Sequence, residues 1–381
     1  MRVGAFLRLR GMTGVLRVGV LADTIDKSGG IPRYTREVVG ALGRRDDVRL
    51  VVAAPAGAAA TVAELAGPRL DRHLVIPRDD QLSVALWERY LSGRHFGAAG
   101  VDVVHGTKHL LPRGAGPSVL TVHDVMTITR AAESGRVKRL LLPSPFRASL
   151  RQATRLAAVS SATRTALTAI DPSWAAKTVV VPNGLSRGLL DAIAEPVARL
   201  ADTRFALVVG DLTPRKNVGL LLRIWAEVFD RAGGLVLAVV GTEGPHADED
   251  RAALLRLEEQ GRACWVRGAP DPVLHWCYEH AQVVLFPSRE EGFGLPVLEA
   301  LAFDAPMIAS TDPAIVEVAA GSPLVQHLAP DDASGWRDAI VTAVQTARPA
   351  VGAPHFPDSA ITWDEHVDRL VALYREVTAG R

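Results

Sequence analysis

The feature that most constrains the fold is a series of short apolar runs that alternate with stretches of helical spacing. The runs have the length of strands, and their lack of polar alternation is typical of strands covered on both faces. Parallel sheets with crossover helices produce this pattern, so two series of runs predict two doubly wound α/β domains. The runs are Leu16–Ala22, Leu50–Ala54, Val101–His105 and Ser118–Val122 in the first half, and Phe205–Val209, Leu235–Val240, Ala263–Val266 and Val283–Phe286 in the second.

The length of the chain also favours two domains, because 381 residues exceed what one typical hydrophobic core serves. The linker is predicted between Gly184 and Arg204, after a Pro-Asn-Gly turn. We therefore assign residues 14–190 to an N-terminal domain and residues 200–362 to a C-terminal domain. Residues 363–377 have apolar positions at helical spacing and predict a terminal helix.

The composition is that of a globular protein, with 48% hydrophobic and 22% charged residues. Its two cysteines, Cys264 and Cys277, have no metal-binding spacing and fit a reducing compartment. Residues 1–13 lack a signal-peptide apolar run and are expected to be a disordered extension. No stretch approaches the roughly 20 apolar residues of a membrane-spanning helix. The sequence therefore predicts a cytoplasmic location.

The charge is distributed unevenly between the two halves. Residues 1–190 hold 27 Lys and Arg against 14 Asp and Glu, whereas residues 191–381 hold 16 against 28. The basic half could meet an anionic acceptor or lie peripherally on the inner face of an anionic membrane. Equally, the two domains could attract each other. The segment Arg136–Arg155, rich in arginine and leucine, could be a basic membrane surface, although Pro143 and Pro145 interrupt it and favour a helix packed on the first domain.

The segment from Pro287 to Ala300 carries the strongest functional signal. It predicts the end of a buried strand, a glycine-rich turn and a helix start. Gly292 and Gly294 allow the backbone to approach a ligand closely, and a helix start offers free N–H groups to an anion. The carboxylates of Glu291 and Glu299 are acceptor-only groups suited to binding pairs of hydroxyls. An anion site flanked by such carboxylates is typical of a sugar-nucleotide pocket.

This segment resembles the signature of the retaining glycosyltransferases of family 4, in which two glutamates separated by seven residues enclose Gly292-Phe293-Gly294-Leu295-Pro296. The resemblance runs from about Val18 to Tyr374. It implies the GT-B fold, with two Rossmann-like domains facing across a cleft. The N-terminal domain would bind the acceptor and the C-terminal domain the nucleotide-sugar donor. The helix of residues 363–378 would cross back onto the first domain.

Two further glycine motifs match elements of the same family. The Gly29-Gly30 pair lies after the first strand and permits close approach to a phosphate. Gly210 follows the first strand of the second domain and precedes Arg215 and Lys216. Arg215 offers a planar donor fork and Lys216 a compact charge, so the two residues predict a diphosphate clamp.

Two histidines lie at the ends of predicted strands, where open parallel sheets bind ligands. A histidine recognised only by that position is more often structural than catalytic, and we interpret His105 as structural. The resemblance implies that His123 lines the sugar site and hydrogen-bonds a donor hydroxyl. It also implies that Asp124 orients neighbouring groups or supports the acceptor pocket.

The resemblance as a whole implies transfer of a hexose from a nucleotide-diphosphate sugar, with retention of configuration and no metal. The leaving phosphate would assist attack on the front face, and neither glutamate would be a nucleophile. Glu299 would bind the ribose hydroxyls and Glu291 those of the transferred sugar. The implied catalytic residues are His123, Glu291, Arg215 and Lys216. The implied donor-binding residues are Gly30, Gly210, Arg215, Lys216, Gly292, Phe293, Gly294, Leu295 and Glu299.

Several alternatives remain open from the sequence. A hydrolase pair is disfavoured because a hydrolase needs no diphosphate clamp. A sugar phosphorylase on the same fold stays possible. A non-catalytic sugar-nucleotide-binding protein also stays possible, because Asp304 replaces the usual glycine near the donor pocket. Asp tolerates left-handed geometry, so that turn is expected to survive. Asp248-Glu249-Asp250 formally fits a metal motif but is interpreted as a solvated loop.

The sequence fixes neither the base, the sugar nor the acceptor. Likeness to mannosyl-transferring members gives a preference for GDP-mannose. The acceptor could be a polysaccharide, a lipid-linked glycan or a natural product. No nucleic-acid partner is predicted, and the oligomeric state is undetermined. A dehydrogenase is disfavoured, because no dinucleotide-binding Gly-x-Gly-x-x-Gly motif follows the first strand.

Overall fold

The computed structural model describes residues 14–77, 80–129, 143–345, 348 and 352–379. It divides into two compact units, of which the first ends at Gly184 and resumes at Trp363. The second unit comprises Leu185–Thr362. The expected disordered extension at residues 1–13 and the part of the basic segment before Pro143 lie outside the described residues.

The first unit is built on a seven-stranded sheet in the order β3-β2-β1-β4-β5-β6-β7, and all its paired strands are parallel. The predicted runs of the first half all form strands, and three further strands extend the sheet at its edges. The strands are β1 (Leu16–Leu21), β2 (Val48–Pro55), β3 (Leu70–Ile76), β4 (Val103–Gly106), β5 (Ser118–Val122), β6 (Arg155–Ala158) and β7 (Thr178–Val180).

Helices connect these strands and pack apolar side chains against the sheet. One connection, between β3 and β4, includes a π-helical turn at Trp87–Leu91 between two α-helices. The helices are α1 (Gly30–Gly43), α2 (Ala59–Ala66), α3 (Gln81–Leu86), α4 (Ser92–Ala98), α5 (Met126–Thr129), α6 (Pro143–Gln152) and α7 (Ser161–Ile170).

The second unit holds a six-stranded parallel sheet in the order β10-β9-β8-β11-β12-β13. From β8, the strands β9 and β10 follow towards one edge of the sheet. The strands β11, β12 and β13 follow towards the other edge, so the strand order reverses between β8 and β11. Open α/β sheets bind ligands at the carboxyl ends of strands at such a reversal. The strands are β8 (Phe205–Val209), β9 (Val236–Val240), β10 (Ala263–Val266), β11 (Val283–Phe286), β12 (Met307–Ser310) and β13 (Val325–Leu328).

The helices of the second unit cover its sheet, and two apolar clusters of buried side chains fill the space between sheet and helices. The helices are α8 (Arg187–Leu190), α9 (Val218–Arg231), α10 (Asp248–Glu259), α11 (Asp271–His280), α12 (Leu295–Ala302), α13 (Pro313–Ala319) and α14 (Ala333–Ala343).

The last helix, α15 (Trp363–Ala379), packs in the core of the first unit. Its Tyr374 hydroxyl lies 2.8 Å from Nδ1 of His105, and its His366 lies 3.3 Å from the Tyr34 hydroxyl. These contacts bind the end of the chain to strands and helices near its beginning. Within the described residues, no helix has the length and apolar character needed to cross a membrane.

Candidate active site

The predicted cationic and acidic site residues meet at the reversal of strand order in the second sheet. Strands β8 and β11 are neighbours there, with Val283 paired to Ala206. Because the two strands are parallel, the loops that follow them leave the same edge of the sheet. The loop after β8 carries Arg215 and Lys216, and the loop after β11 carries Glu291.

Glu291 joins both cations. Its Oε2 accepts a hydrogen bond from Nη1 of Arg215 at 2.7 Å, and its Oε1 accepts one from Nζ of Lys216 at 2.8 Å. The side chains of Glu291 and Lys216 are only 8% and 15% exposed, whereas Arg215 is 35% exposed. The arginine therefore has the most access to an arriving ligand.

The electrostatics of this cluster favour charged side chains. Burial alone would raise the pKa of the Glu291 carboxyl, but the charges of Lys216 and Arg215 outweigh it and lower the pKa to about 2. Burial also lowers the pKa of Lys216, which Glu291 partly offsets. One carboxylate between two cations leaves an excess of positive charge, which suits an anion.

Lys216 is held in position by its neighbours. Gly210 has φ 151°, and a Cβ atom there would lie 3.3 Å from Cδ and Cε of Lys216. The ammonium lies 4.9 Å from the centre of the Phe286 ring, a cation–π contact. The next residue, Asn217, is left-handed with φ 55°, and its Nδ2 donates to the Pro287 carbonyl at 3.1 Å. These contacts tie the loop after β8 to the end of β11.

The glycine turn ends at Gly294, which has φ 101° and lies directly before α12. A left-handed residue there favours glycine. The predicted helix begins at Leu295, so Pro296 occupies its second position. Proline is tolerated in the first turn because N–H groups there have no helical partner. Gly292 and Phe293 complete the turn.

Asp312 is a site residue that the sequence prediction missed. Its Oδ1 accepts from the N–H groups of Ala314 at 2.9 Å and Ile315 at 3.3 Å, which caps α13. Its Oδ2 accepts from the N–H of Glu291 at 3.3 Å. The capping carboxylate thus also fixes the backbone of the site. An aspartate directly before Pro313 is a helix-start signal that could have identified the cap.

Glu299 lies in α12 and is 4% exposed. Its Oε2 accepts a hydrogen bond at 2.7 Å from the hydroxyl of Tyr278, on α11. Tyr278 is therefore, after Asp312, a second site residue that the sequence prediction missed. Its bond fixes the orientation of the Glu299 carboxylate.

The remaining predicted site residues, His123 and Gly30, belong to the first unit. Nε2 of His123 donates to the Thr107 carbonyl at 2.9 Å, and the imidazole meets the Tyr34 ring edge-on at 4.6 Å between centroids. Burial lowers the pKa of His123 to about 4, so the ring is neutral at physiological pH. Gly30 is the first residue of α1, and no atom lies within 4 Å of where its Cβ would be.

His105 has a structural environment, as predicted. It is fully buried, with Nε2 2.9 Å from the Thr121 hydroxyl and Nδ1 bonded to Tyr374. Burial lowers its pKa to about 3, and the nearby rings of His366 and His123 act in the same direction.

The acidic run Asp248–Asp250 is not a loop, so that prediction was wrong. It forms the first turn of α10, where acidic side chains interact favourably with the positive end of the helix. In the part of the chain that the structure describes, no group of three or more His, Cys, Asp or Glu residues is arranged to hold a metal ion. Asp304 adopts φ 47°, which confirms the expected left-handed turn.

Family models match both units. Residues 28–187 match the model described as Glycosyltransferase Family 4, and residues 203–346 match the model described as Glycosyl transferases group 1. The O-antigen chain mannosyltransferase B of Escherichia coli is 26% identical over 292 residues, which cover 72% of this chain and 74% of that protein.

Solved structures share the fold at low sequence identity. Sucrose-phosphate synthase from Thermosynechococcus elongatus has a TM-score of 0.66 at 18% identity, over 96% of this chain and all of that one. The Anabaena protein Alr3699/HepE, solved in complex with UDP and glucose, has a TM-score of 0.65 at 16% identity, over 96% of this chain and 99% of that one.

The two parallel sheets and these structural relatives show the GT-B fold of two Rossmann-like domains. The family models that match both units show that the protein is a glycosyltransferase enzyme. Within that class, the matches to both halves place it in a family. The chain belongs to the family 4 type of glycosyltransferases.

Proposed function

We propose that this enzyme transfers a hexose from a nucleotide-diphosphate sugar to an acceptor hydroxyl with retention of anomeric configuration. The observation that carries the proposal is the double ion pair of Glu291 with Arg215 and Lys216 at the strand reversal. A basic pair positioned before the ligand arrives can stabilise the charge that develops on a departing diphosphate without reorganising.

The proposed mechanism assigns each residue a role around the leaving group. Arg215 and Lys216 bind the diphosphate, and the N–H groups of the helix that begins after Gly294 add to their field. The carboxylate of Glu291 forms ion pairs with the two cations. With its remaining lone pairs it accepts hydrogen bonds from hydroxyls of the transferred hexose. Glu299, oriented by Tyr278, accepts hydrogen bonds from the ribose hydroxyls. The leaving phosphate assists attack on the same face of the sugar, so no residue forms a covalent intermediate.

His123 contributes from the first unit. Because Nε2 donates to the Thr107 carbonyl, Nδ1 of the neutral ring is an acceptor. In this proposal the first unit binds the acceptor, and the neutral imidazole accepts a hydrogen bond from a sugar hydroxyl.

The relatives support a donor class for the proposed reaction. The name of the mannosyltransferase relative supports mannose as the transferred hexose, for which GDP is the carrier in this proposal. The UDP and glucose bound to the Anabaena protein support a nucleoside diphosphate as the carrier class. A polysaccharide, lipid-linked glycan or natural product is the acceptor. The reaction needs no metal in this proposal, and the protein acts in the cytoplasm or at the inner face of the membrane.

Nucleotide binding provides the first test. GDP, UDP, ADP and dTDP are each added to the full chain without divalent metal, and the melting temperature is measured. We expect one nucleotide to raise it and the Lys216→Met variant to lose that shift. The control Lys27→Met removes an exposed lysine and should keep the shift.

Product analysis provides the second test. With the stabilising donor and a panel of glycan and lipid-linked acceptors, NMR of the product should show the anomeric configuration of the donor. An inverted product would contradict retention. A nucleotide shift without release of nucleoside diphosphate to any acceptor would support a binding protein, and turnover that requires inorganic phosphate would support a phosphorylase.

A further inference from the structure

The helical segment between β3 and β4 is apolar on two opposite faces. The inner face is buried, with Val84, Trp87 and Phe96 between 1% and 6% exposed. The outer face carries large apolar side chains that remain in solvent. These outer residues are Leu82 (46% exposed), Leu86 (49%), Tyr90 (52%) and Leu91 (46%). An outer helical face with several large apolar side chains is expected to be covered by a partner or by lipid, not left in water.

The outer residues, which we call the apolar face, form a concentrated feature of the surface. Eight large apolar side chains are exposed among the described residues, and five lie between Val75 and Leu91. The three others, Val15, Ile193 and Val316, are far apart in sequence. A shallow groove runs along the apolar face, lined by Pro77, Ser83, Leu86, Trp87, Tyr90 and Leu91. Clustered exposed apolar residues mark an interaction surface, whereas scattered ones do not.

Two exposed arginines lie beside the apolar face. Arg94 is exposed about one helical turn after Tyr90, and the guanidinium of exposed Arg113 lies 5.6 Å from the Tyr90 ring. Of the two described acidic residues in the same segment, one is buried and the other, Asp80, is exposed at the start of α3. Glu88 is turned inward and 7% exposed, and the carboxylate of Asp80 accepts from the N–H of Ser83 at the start of α3.

We propose that the apolar face inserts into the interface of an anionic lipid bilayer, with Arg94 and Arg113 against the lipid phosphates. Amphipathic helices bind membranes through buried apolar area together with attraction of basic residues to anionic lipids. A second copy of the chain fits less well, because a symmetric dimer on this face would bring the arginines of both copies together. The proposal requires neither donor nor acceptor and is independent of the proposed reaction.

The test uses the full-length protein and sedimentation with lipid vesicles. Vesicles of phosphatidylcholine alone are compared with vesicles of equal parts phosphatidylcholine and phosphatidylglycerol, at low and high salt. We expect binding to the anionic vesicles that weakens with salt. The double variant Leu86→Ser/Tyr90→Ser should bind them about tenfold or more weakly, since each side chain loses favourable apolar burial.

Matched controls separate this face from general surface effects. Ile193→Ser, in the second unit, removes a side chain that is 89% exposed and should bind vesicles like the wild type. Arg94→Glu/Arg113→Glu should lose the preference for anionic vesicles, whereas Arg256→Glu, at an exposed arginine of α10, should keep it. Circular dichroism confirms that each variant is folded.

The proposal is overturned if the wild type does not sediment with anionic vesicles, or if the double variant sediments as the wild type does. It is also overturned if Ile193→Ser weakens binding equally. A change from dimer to monomer in the double variant with unchanged vesicle binding would assign the face to a second copy instead.

Discussion

Nζ of Lys216 lies 2.8 Å from Oε1 of Glu291, although the two residues are 75 positions apart in the chain. The bond joins the loop after β8 to the loop after β11. Burying two charges costs desolvation energy that the pair only partly recovers, so such a bond is weak evidence for stability. Its consequence is positional, because it fixes a lysine beside the turn that leads to Gly294.

Replacing Glu291 by Gln should destabilise the second unit by about 3 kcal/mol, because it leaves the Lys216 ammonium buried without its anion. The pH dependence has a defined sign. The folded pKa of Glu291 is about 2 and the ordinary value is 4.5, so its contribution is present above pH 4.5 and is lost as the pH falls towards 2. Urea unfolding of the wild type and Glu291→Gln across this pH range measures both the loss of stability and its dependence on pH.

The matched control is Glu64→Gln, at an exposed glutamate of α2, which should change the free energy of unfolding by less than about 0.5 kcal/mol. Equal stability of Glu291→Gln and wild type at pH 7 would show that the ion pair does not hold Lys216 in the folded protein.

Gly210→Ala should weaken nucleoside diphosphate binding and also lower the stability of the second unit by about 1–3 kcal/mol. The added Cβ would lie 3.3 Å from the Lys216 stem, and φ 151° is unfavourable for alanine. We expect Lys216 to shift and the affinity to fall about tenfold, as for loss of one charge-assisted contact. Isothermal titration with the nucleotide identified by thermal shift measures the affinity.

Gly57→Ala is the control, because no atom lies within 4 Å of its Cβ position and its φ is not positive. It should bind the nucleotide as the wild type does. Wild-type affinity in Gly210→Ala would mean that Lys216 does not contact the diphosphate.

The central strands of both sheets could be predicted because strands covered on both faces must be apolar throughout. The predicted runs at Phe205–Val209 and Val283–Phe286 coincide with β8 and β11. Strand β3, at one edge of the first sheet, was missed for the complementary reason. In β3, Asp71, Arg72 and Val75 are exposed, so polar residues interrupt the pattern. Such strands are defined by pairing with a neighbour, which a single sequence does not display.

The sequence indicated which residues belong to the candidate site but not how they are arranged in space. Arg215, Lys216 and Glu291 each stand out locally, yet their contact depends on β8 and β11 being neighbours in the sheet. The sequence suggested that Glu291 binds sugar, which stays a prediction, whereas the structure shows that its carboxylate accepts hydrogen bonds from both cations. Tyr278 could not be predicted, because nothing near it in sequence indicates that α11 would meet α12.

Glu88→Gln should stabilise the first unit at neutral pH. Burial, and then the charge of Asp23, raise the pKa of the Glu88 carboxyl, while Lys108 and Lys27 partly counter them. Below pH 4.5 both the folded and unfolded states hold the proton, so wild type and variant differ little. As the pH rises above 4.5, the unfolded state releases the proton first, and the stability of the wild type falls relative to the variant.

Urea unfolding of both proteins between pH 4 and pH 8 measures this difference. A stability gap that stays constant with pH would contradict it, and a gap that closes with rising pH would reverse the assigned direction of the pKa shift. Glu64→Gln again supplies the exposed control, for which no gap should open.

The first unit should lose stability in acid because three neutral imidazoles are buried together. The pKa values of His105, His123 and His366 are lowered by burial to about 3, 4 and 4, against an ordinary 6.5. Between pH 6.5 and 4 the unfolded state therefore binds more protons, and stability falls as the pH falls. His105→Gln should reduce the slope by one proton, about 1.4 kcal/mol per pH unit. Above pH 7 the two proteins should have parallel slopes, and an unchanged slope below pH 6 would mean that His105 is already protonated in the fold.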